Sequence, residues 1–170
     1  SLVANRLYKQ KVDSATQIED NIPSLYADPQ QLEQVLVNLY LNAIDAMPEG
    51  GKLTVGAALT ASVEGEGKRD GDGKVKGVTI WVTDTGFGIE ETSLAKIFQP
   101  FFTAKKKRGL GLGLPICARI IRNHGGRIEV ESRAGQGTTF KIYLPLTEAT
   151  REQKTDQDVT DPSQAQNVAK

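Results

Sequence analysis

Three polar side chains lie along one face of a predicted helix. Asn38, Asn42 and Asp45 are four and three residues apart in the stretch NLYLNAIDAM, so a helix places them on one stripe about 60° wide. A solvent-facing surface is the ordinary explanation, but asparagine is a mediocre helix former, and Glu, Lys or Gln suit an exposed face better. A buried amide without a partner costs about 1–3 kcal/mol. The stripe therefore indicates a partner outside the helix, and its oxygen ligands suit Mg²⁺ together with substrate phosphates.

A second candidate site follows a predicted strand in the stretch VTDTGFGI. Asp84 ends the strand, and Gly86 and Gly88 come directly after it. An ordinary Asp-Gly turn is the alternative explanation, since two glycines on their own are weak evidence. An ionised carboxylate held beside bare backbone would accept a hydrogen bond from the exocyclic amine of adenine.

Three alternating glycines precede another predicted helix in the stretch RGLGLGLP. They are Gly109, Gly111 and Gly113, and a helix N-terminus with free amides nearby binds anions. The stretch lacks the Gly-Lys-Ser/Thr of a Walker A loop, and no strand leads straight into it as in a dinucleotide-binding fingerprint. Phosphate binding and simple loop flexibility both stay open. The basic run KKKR at 105–108 is likewise either solvated or in contact with phosphates.

His124 is the only histidine, and it stands before two glycines at the expected end of a helix. We interpret it as a C-terminal cap that is favourable when protonated. The sequence offers no Ser/His/Asp or Cys/His set for nucleophilic catalysis and no Cys/His cluster of the metal-binding type.

The asparagine stripe needs a helix, and the sequence before it carries the signals that start one. Asp28 is a typical N-cap, Pro29 suits the first helical position, and Gln31 stands where a capping-box partner belongs. We expect the helix to run to about Met47, because a proline and two glycines follow. Its expected buried face consists of Leu32, Val35, Leu36, Leu39, Ala43 and Ala46.

The other elements are predicted from alternation and turn residues. Strands are expected over 11–20, 52–59, 77–84, 127–132 and 138–146, and further helices over 90–98 and 114–124. The segment 60–77 is long for a hairpin loop and should be mobile, while 147–170 is expected to be a disordered tail. This order predicts an α/β (α+β) two-layer sandwich with a mixed, largely antiparallel sheet and helices on one face.

Length and composition limit the class of protein. The 170 residues suffice for one domain with its own core, and a formal net charge of zero gives no indication of nucleic acid as a partner. The single cysteine excludes an internal disulfide and indicates a reducing, cytoplasmic compartment. No apolar run reaches the ~18 residues of a membrane span. Because the chain starts without methionine, we expect a fragment of a longer parent, whose anchoring in the inner membrane stays open.

The order and spacing of these motifs resemble the N, G1, F, G2 and G3 boxes of sensor histidine kinases. The corresponding stretches are NLYLNAIDA, DTGFGI, IFQPFFTAK, GLGLGL and GQGTTF. The resemblance covers about residues 11–146, and five boxes in order make it specific. The chain is similar to the catalytic, ATP-binding domain of such a kinase, in the nitrogen-regulation-like group. This resemblance implies the Bergerat ATP-binding fold.

The resemblance implies a role for each matching residue. Asn42 would ligate Mg²⁺, with Asn38 beside the metal and the phosphates. Asp84 would bind the adenine amino group of ATP, supported through water by Thr138, and Lys105 would contact phosphates and complete the catalytic set with the two asparagines. Phenylalanines at 98, 101 and 102 would anchor the start of the ATP lid. The other residues with an implied nucleotide contact are Asp45, Gly86, Gly88, Ile89, Phe98, Phe102, Thr103, Gly109, Leu110, Gly111, Leu112 and Gly113.

Two departures from the family pattern matter, and a third position distinguishes this chain from other ATPases of the superfamily. Leu110 replaces the threonine that is common in the second glycine box, so a hydroxyl near the lid is lost. Asp45 stands where many members have a basic residue that touches the α-phosphate; it acts through water or metal, or only structurally. Asn38 stands where the self-sufficient ATPases of the superfamily place a glutamate general base, and an amide cannot take a proton from water.

The resemblance also implies partners for this chain. It contains no phospho-accepting histidine box, so the fragment, expected to be a monomer, should bind ATP without phosphorylating itself. Residues 1–10 are expected to be a linker or the end of an upstream dimerisation helix, whose domain supplies the histidine in a homodimeric parent. A response regulator would then receive the phosphoryl group. A non-catalytic module that binds nucleotide or a partner, and a superfamily ATPase, are the alternatives.

Overall fold

A five-stranded sheet with helices packed on one face is the framework that carries the candidate residues. The structure is a computed structural model, and it describes residues 1–63, 75–102 and 113–146. The helices are α1 (Leu2–Lys9), α2 (Pro29–Ala46), α3 (Glu91–Leu94) and α4 (Gly113–Asn123). The strands are β1 (Val12–Ile18), β2 (Gly51–Val63), β3 (Val75–Asp84), β4 (Arg127–Arg133) and β5 (Gly137–Pro145).

The strands are ordered β1-β2-β3-β5-β4 across the sheet. The β1–β2 pair is parallel, and the β2–β3, β3–β5 and β4–β5 pairs are antiparallel. Parallel neighbours need a crossover connection, and α2 supplies it between β1 and β2. The mixed, largely antiparallel two-layer sandwich predicted from the sequence is thereby confirmed.

The helix that carries the asparagines begins as predicted. The Asp28 carboxylate accepts hydrogen bonds from the backbone N–H groups of Gln30 and Gln31, at 2.9 and 3.2 Å, and Pro29 occupies the first turn. The Gln31 amide donates to the other carboxylate oxygen of Asp28, at 3.0 Å, instead of reaching back to its backbone N–H. The predicted capping box is therefore only half formed, because the Asp28 N–H donates to His124.

The core lies between α2, α4 and the covered face of the sheet. Residues with no exposed surface come from both helices, among them Val35, Leu39 and Ile44 of α2 and Cys117 and Ile121 of α4. Each fully buried aliphatic side chain of this size contributes about 1.5–3 kcal/mol to folding. The predicted buried face of α2 is mostly confirmed, with two of its leucines only partly buried at the edge of the core.

Two predicted boundaries are wrong. The β2 strand continues to Val63 and β3 begins at Val75, so the loop predicted over 60–77 is too long at both ends, and residues 64–74 lie outside the described part of the chain. The helix predicted over 90–98 is a single turn, in which Glu90 makes no side-chain cap hydrogen bond. In the described ranges, no helix combines the length and the apolar character that crossing a bilayer requires. The predicted tail at 147–170 also falls outside them.

Candidate functional site

The polar stripe of α2 is half-buried, and its first member lies beside the start of α4. Asn38, Asn42 and Asp45 all have intermediate exposure. A side chain at Gly113, the first residue of α4, would come within 3.8 Å of the Asn38 carboxamide. Burial raises the pKa of the nearby Cys117 thiol of α4, against a smaller lowering effect of the Asn38 side chain, and the thiol donates to the Val35 carbonyl oxygen at 3.9 Å. The structure therefore brings the asparagine box and the last glycine of the glycine-rich stretch together.

Asp84 and Thr138 form a buried polar pair at the end of the central strands. They are cross-strand partners in the β3–β5 register, and each is 5% exposed, which makes them the buried polar residues among those described. The Asp84 Oδ1 atom accepts a hydrogen bond from the Gly86 N–H at 2.8 Å. A buried carboxylate needs such donors, because burial without them carries a high desolvation cost. The predicted adenine-contacting residues are therefore adjacent and preorganised.

The glycines after Asp84 let the loop pack closely between two neighbouring elements. A Cβ at Gly86 would lie 2.4 Å from the carbonyl oxygen of Ala46, the last residue of α2, and the Phe87 N–H donates to that same oxygen at 3.0 Å. Gly88 has a φ of +71°, and a Cβ there would lie 2.0 Å from the Arg133 carbonyl oxygen. Only glycine fits both positions. The loop is thus held between the end of α2 and the β4–β5 turn.

Ser132 links three parts of this region through one hydroxyl group. Its Oγ accepts from the Ile89 N–H at 2.8 Å, lies 2.9 Å from the Gly137 carbonyl oxygen, to which it donates, and lies 2.9 Å from the Thr138 hydroxyl. A serine hydroxyl has one proton to donate and two lone pairs. With its proton on Gly137, Ser132 must accept from Thr138. The Thr138 oxygen is thereby oriented as an acceptor towards any further partner.

Sequence reasoning missed Ser132, although a signal was present. In the alternating stretch RIEVES, Ser132 falls on the same side as Ile128 and Val130. A serine that interrupts an apolar face of a strand indicates a hydrogen-bonding requirement inside the core.

A groove of about 530 Å³ lies beside the Asp84–Thr138 pair. Its lining includes both of these residues, Ser132, Leu94 of α3 and the β4–β5 turn. The asparagines of α2 do not line it. Thr83, Glu131 and Thr139, which alternate with the acceptor residues along their strands, also line it, so the groove lies at the strand ends and apart from the asparagine stripe.

Asp45 is engaged by a residue of α1. Its Oδ1 atom lies 2.5 Å from Nη2 of Arg6. Of the roles left open for Asp45, the structure shows the structural one, an ion pair within the chain. The position of the carboxylate is therefore explained without a nucleotide. Its predicted contact with nucleotide stays a prediction.

The aromatic residues before the predicted lid behave differently from one another. Phe98 packs edge-on against Phe140, with ring centroids 6.4 Å apart and an interplanar angle of 83°. Phe98 and Phe102 are partly buried against the core. Phe101 is 76% exposed and has a φ of +64°. The prediction that all three anchor the segment is therefore wrong for Phe101, whose ring is mostly exposed to solvent.

The predicted lid contacts lie in a part of the chain that the structure does not describe. These residues are Thr103, Lys105, Gly109, Leu110, Gly111 and Leu112. Their roles stay predictions. Gly113, which ends the glycine run, is described, and it begins α4.

His124 ends α4 as predicted, but in a different chemical state. Its Nδ1 lies 2.8 Å from the Ile120 carbonyl oxygen, and its Nε2 accepts from the Asp28 N–H at 3.0 Å. One nitrogen must donate and the other accept, so this geometry requires the neutral ring with its proton on Nδ1. The expectation of a cap that is favoured by protonation is therefore wrong. The reason is that the N–H of Asp28, the N-cap of α2, donates to Nε2, which must therefore be unprotonated.

The described side chains offer amide oxygens as possible metal donors. No group of three or more His, Cys, Asp or Glu side chains that could hold a metal occurs within 1–63, 75–102 and 113–146. Amide oxygens on the α2 stripe are the available hard donors. Mg²⁺ is commonly bound by one or two protein ligands together with phosphates and water.

Comparison with known families gives one match that spans most of the chain. The family model for histidine kinase-, DNA gyrase B- and HSP90-like ATPases matches residues 27–148. The curated relatives include the sensor histidine kinase ZraS of Escherichia coli strain K12, which is 41% identical over 145 residues, covering 85% of this chain and 28% of ZraS. Sporulation kinase C of Bacillus subtilis is 42% identical over 119 residues, covering 70% of this chain and 24% of that kinase. The chain thus spans about a quarter of the length of these relatives.

Solved structures give the same result over the length of a single domain. The nucleotide-free catalytic domain of the histidine kinase ThkA matches with a TM-score of 0.67 and 32% identity, over 88% of this chain and 89% of that domain. Full-length ShkA in complex with AMPPNP matches with a TM-score of 0.69 and 28% identity, over 86% of this chain and 28% of ShkA.

Proposed function

This chain belongs to the family of histidine kinase-, DNA gyrase B- and HSP90-like ATPases and is of the histidine kinase catalytic type. From this premise we propose that it binds Mg-ATP for phosphoryl transfer. The transfer is to a histidine on a separate dimerisation domain of the same kinase. The phosphoryl group then passes to an aspartate of a response regulator. The observation that carries the proposal is the buried Asp84–Thr138 pair.

Asp84 and Thr138 suit the amino edge of adenine because both present acceptors. The Asp84 carboxylate can only accept when ionised, and the hydrogen bond from Thr138 to Ser132 leaves the threonine oxygen as an acceptor. An exocyclic amine carries two protons and can satisfy one acceptor directly and another through water. The pair would therefore favour adenine over guanine, which presents a carbonyl oxygen at the corresponding position.

The half-buried asparagine stripe is the proposed phosphate and metal end of the site. Asn42 would ligate Mg²⁺, and Asn38 would face the phosphates beside Gly113, where α4 begins, since a helix N-terminus favours anions. When bound, Mg²⁺ would neutralise charge on the phosphates during transfer. Positions on two elements would hold the triphosphate, with Lys105 as a further proposed contact.

Because Asn38 offers no general base, the site favours transfer of the phosphoryl group over hydrolysis of ATP. An amide cannot activate water as a general base, so the chain would hold ATP until an acceptor residue is supplied. Residues 11–146 are proposed as the catalytic domain, and residues 1–10 as the link to the dimerisation domain in a homodimeric parent. The α1 helix at Leu2–Lys9 supports that assignment.

Thermal unfolding with the magnesium complex of AMPPNP tests the proposal. At about 100 times its Kd, the ligand adds about 2.7 kcal/mol of stability, which raises Tm by several degrees. Asp84→Asn should abolish the shift, because asparagine still accepts from the Gly86 N–H but presents an NH₂ donor to the adenine amine. Asp13→Asn, on an exposed strand position, is the matched control and should shift like the parent. No shift of the parent at millimolar nucleotide would refute the proposal.

A further inference from the structure

The first helix is fastened to the last turn of α2 by an ion pair. Nη2 of Arg6 lies 2.5 Å from Oδ1 of Asp45, and the two side chains are 29% and 25% exposed. Partial burial distinguishes this pair from the freely solvated ion pairs of protein surfaces, which contribute little. The pair also spans 39 positions in sequence, so it exists only because α1 docks where it does.

Two further contacts hold α1 in the same place. Gln10, which caps α1, accepts from Arg6 at 3.4 Å and donates through Nε2 to the Ile44 carbonyl oxygen at 3.3 Å. Leu7 packs against the core. Arg6 and Gln10 thus attach this end of α1 to neighbouring residues of α2, at positions 45 and 44, while Leu7 attaches it to the core.

The last turn of α2 is also the part that connects to the nucleotide site. Asp45 lies three residues beyond Asn42 on the same stripe, and the following residue, Ala46, accepts the hydrogen bond from Phe87 in the loop after Asp84. Under the proposed function, phosphates bind along this stripe. A carboxylate there repels a triphosphate unless a cation neutralises it, since like charges at short range interact strongly where water is partly excluded.

We propose that Arg6 is a positioning residue that neutralises Asp45 while α1 is docked, and that displacing α1 uncovers this carboxylate and weakens nucleotide binding. The inference rests on the proposed function and adds to it a regulation of nucleotide affinity. The position of α1, and of whatever is joined to it, sets the affinity for nucleotide. By linkage, bound nucleotide must strengthen the docking of α1 by the same factor.

Nucleotide affinity in a charge-removal series tests the inference. We would measure the Kd of Mg-AMPPNP for the chain, Arg6→Gln, Asp45→Asn, the double variant and Lys9→Gln. Arg6→Gln should bind about three- to tenfold more weakly at low salt, with a smaller loss at high salt. The double variant should bind like Asp45→Asn, since no carboxylate is left to neutralise. Lys9→Gln removes the same charge from an exposed position on α1 and should change Kd by less than about twofold.

A second measurement reports on α1 itself. Amide hydrogen exchange in α1 should slow when Mg-AMPPNP binds, by a factor similar to the affinity loss of Arg6→Gln, and the slowing should vanish in that variant. Unchanged affinity in Arg6→Gln would overturn the inference, as would an equal loss in Lys9→Gln or no recovery in the double variant. In each of these cases the unsubstituted chain would still bind nucleotide, so the proposed function would not be contradicted. Failure of the parent chain to bind would overturn both.

Discussion

At the scale of single residues, the site depends on how a few hydroxyl and carboxylate groups are oriented. Ser132 is the clearest case, because its Oγ contacts the backbone at Ile89, the backbone at Gly137 and the Thr138 hydroxyl within 2.8–2.9 Å. These groups come from the loop after Asp84 and from β5, the strand that pairs with the strand of Ser132. One hydroxyl thereby sets the acceptor orientation of Thr138 and the path of the adjacent loop.

Ser132→Ala should therefore cost both stability and nucleotide affinity. The change leaves three partners without their hydrogen bond in a partly buried place, and we expect a loss of about 1–3 kcal/mol. Urea unfolding measures it, and Mg-AMPPNP titration should show weaker binding. Ser132→Thr keeps the hydroxyl and should recover affinity. The exposed Ser14→Ala on β1 is the control, and a Ser132→Ala variant as stable as Ser14→Ala would contradict this role.

At the scale of elements, a hydrogen bond connects the C-terminal end of α4 with the N-terminal end of α2. The imidazole of His124 at the end of α4 accepts from the N–H of Asp28, which caps the start of α2. The same ring donates to the Ile120 carbonyl oxygen in the last turn of α4. Since α2 carries the asparagines and α4 begins beside them at Gly113, this contact adds to the core packing that places the two elements of the proposed phosphate end.

His124→Ala should destabilise the domain by about 1 kcal/mol. The bond lies at an exposed helix end, where water can partly replace it, so the loss should be that of one ordinary hydrogen bond. Urea unfolding with Arg122→Ala as the control, an exposed change in the same turn, isolates the contribution of the ring. Nitrogen NMR of the parent at alkaline pH should show the proton on Nδ1. A proton on Nε2 would contradict the bridge.

At the scale of the whole molecule, the chain is a catalytic-type domain that spans about a quarter of its kinase relatives. The acceptor histidine of the proposed reaction is therefore sought outside it. His124 is unsuited to that role, since both of its ring nitrogens are engaged with backbone groups of two helices. The proposed activity thus needs a second domain.

Phosphoryl transfer to a separately supplied dimerisation domain tests whether ATP binding and the acceptor histidine belong to different domains. Incubated with radiolabelled ATP and Mg²⁺, the chain should not label itself and should hydrolyse almost none of the ATP, because Asn38 cannot act as a base. Addition of a histidine-bearing helical hairpin from the same kinase should give labelled hairpin, and Asp84→Asn should not. ATP binding without transfer would favour a non-catalytic nucleotide-binding module. Steady hydrolysis by the chain alone would favour a self-sufficient ATPase.

The sequence by itself determined most of the elements and the residues at their ends. Asp28 and Pro29 begin α2 through contacts within four residues, and alternation identifies the strands, because both signals are local. The positions of Asn38, Asn42 and Asp84 on a helix face and at a strand end follow from the same local rules. The family resemblance also rests on short stretches, so it too could be seen without coordinates.

Only the tertiary structure decided which side chains meet across the fold. The contacts of Arg6 with Asp45, of Ser132 with Ile89 and of His124 with Asp28 span 39, 43 and 96 positions. No periodicity or capping rule reports on such pairs, since their formation depends on the packing of α1, α2, α4 and the last hairpin against one sheet. The same packing gives His124 its neutral form and Asp45 its partner. It thereby corrects the expectation for His124 and gives Asp45 a contact that only the assembled domain provides.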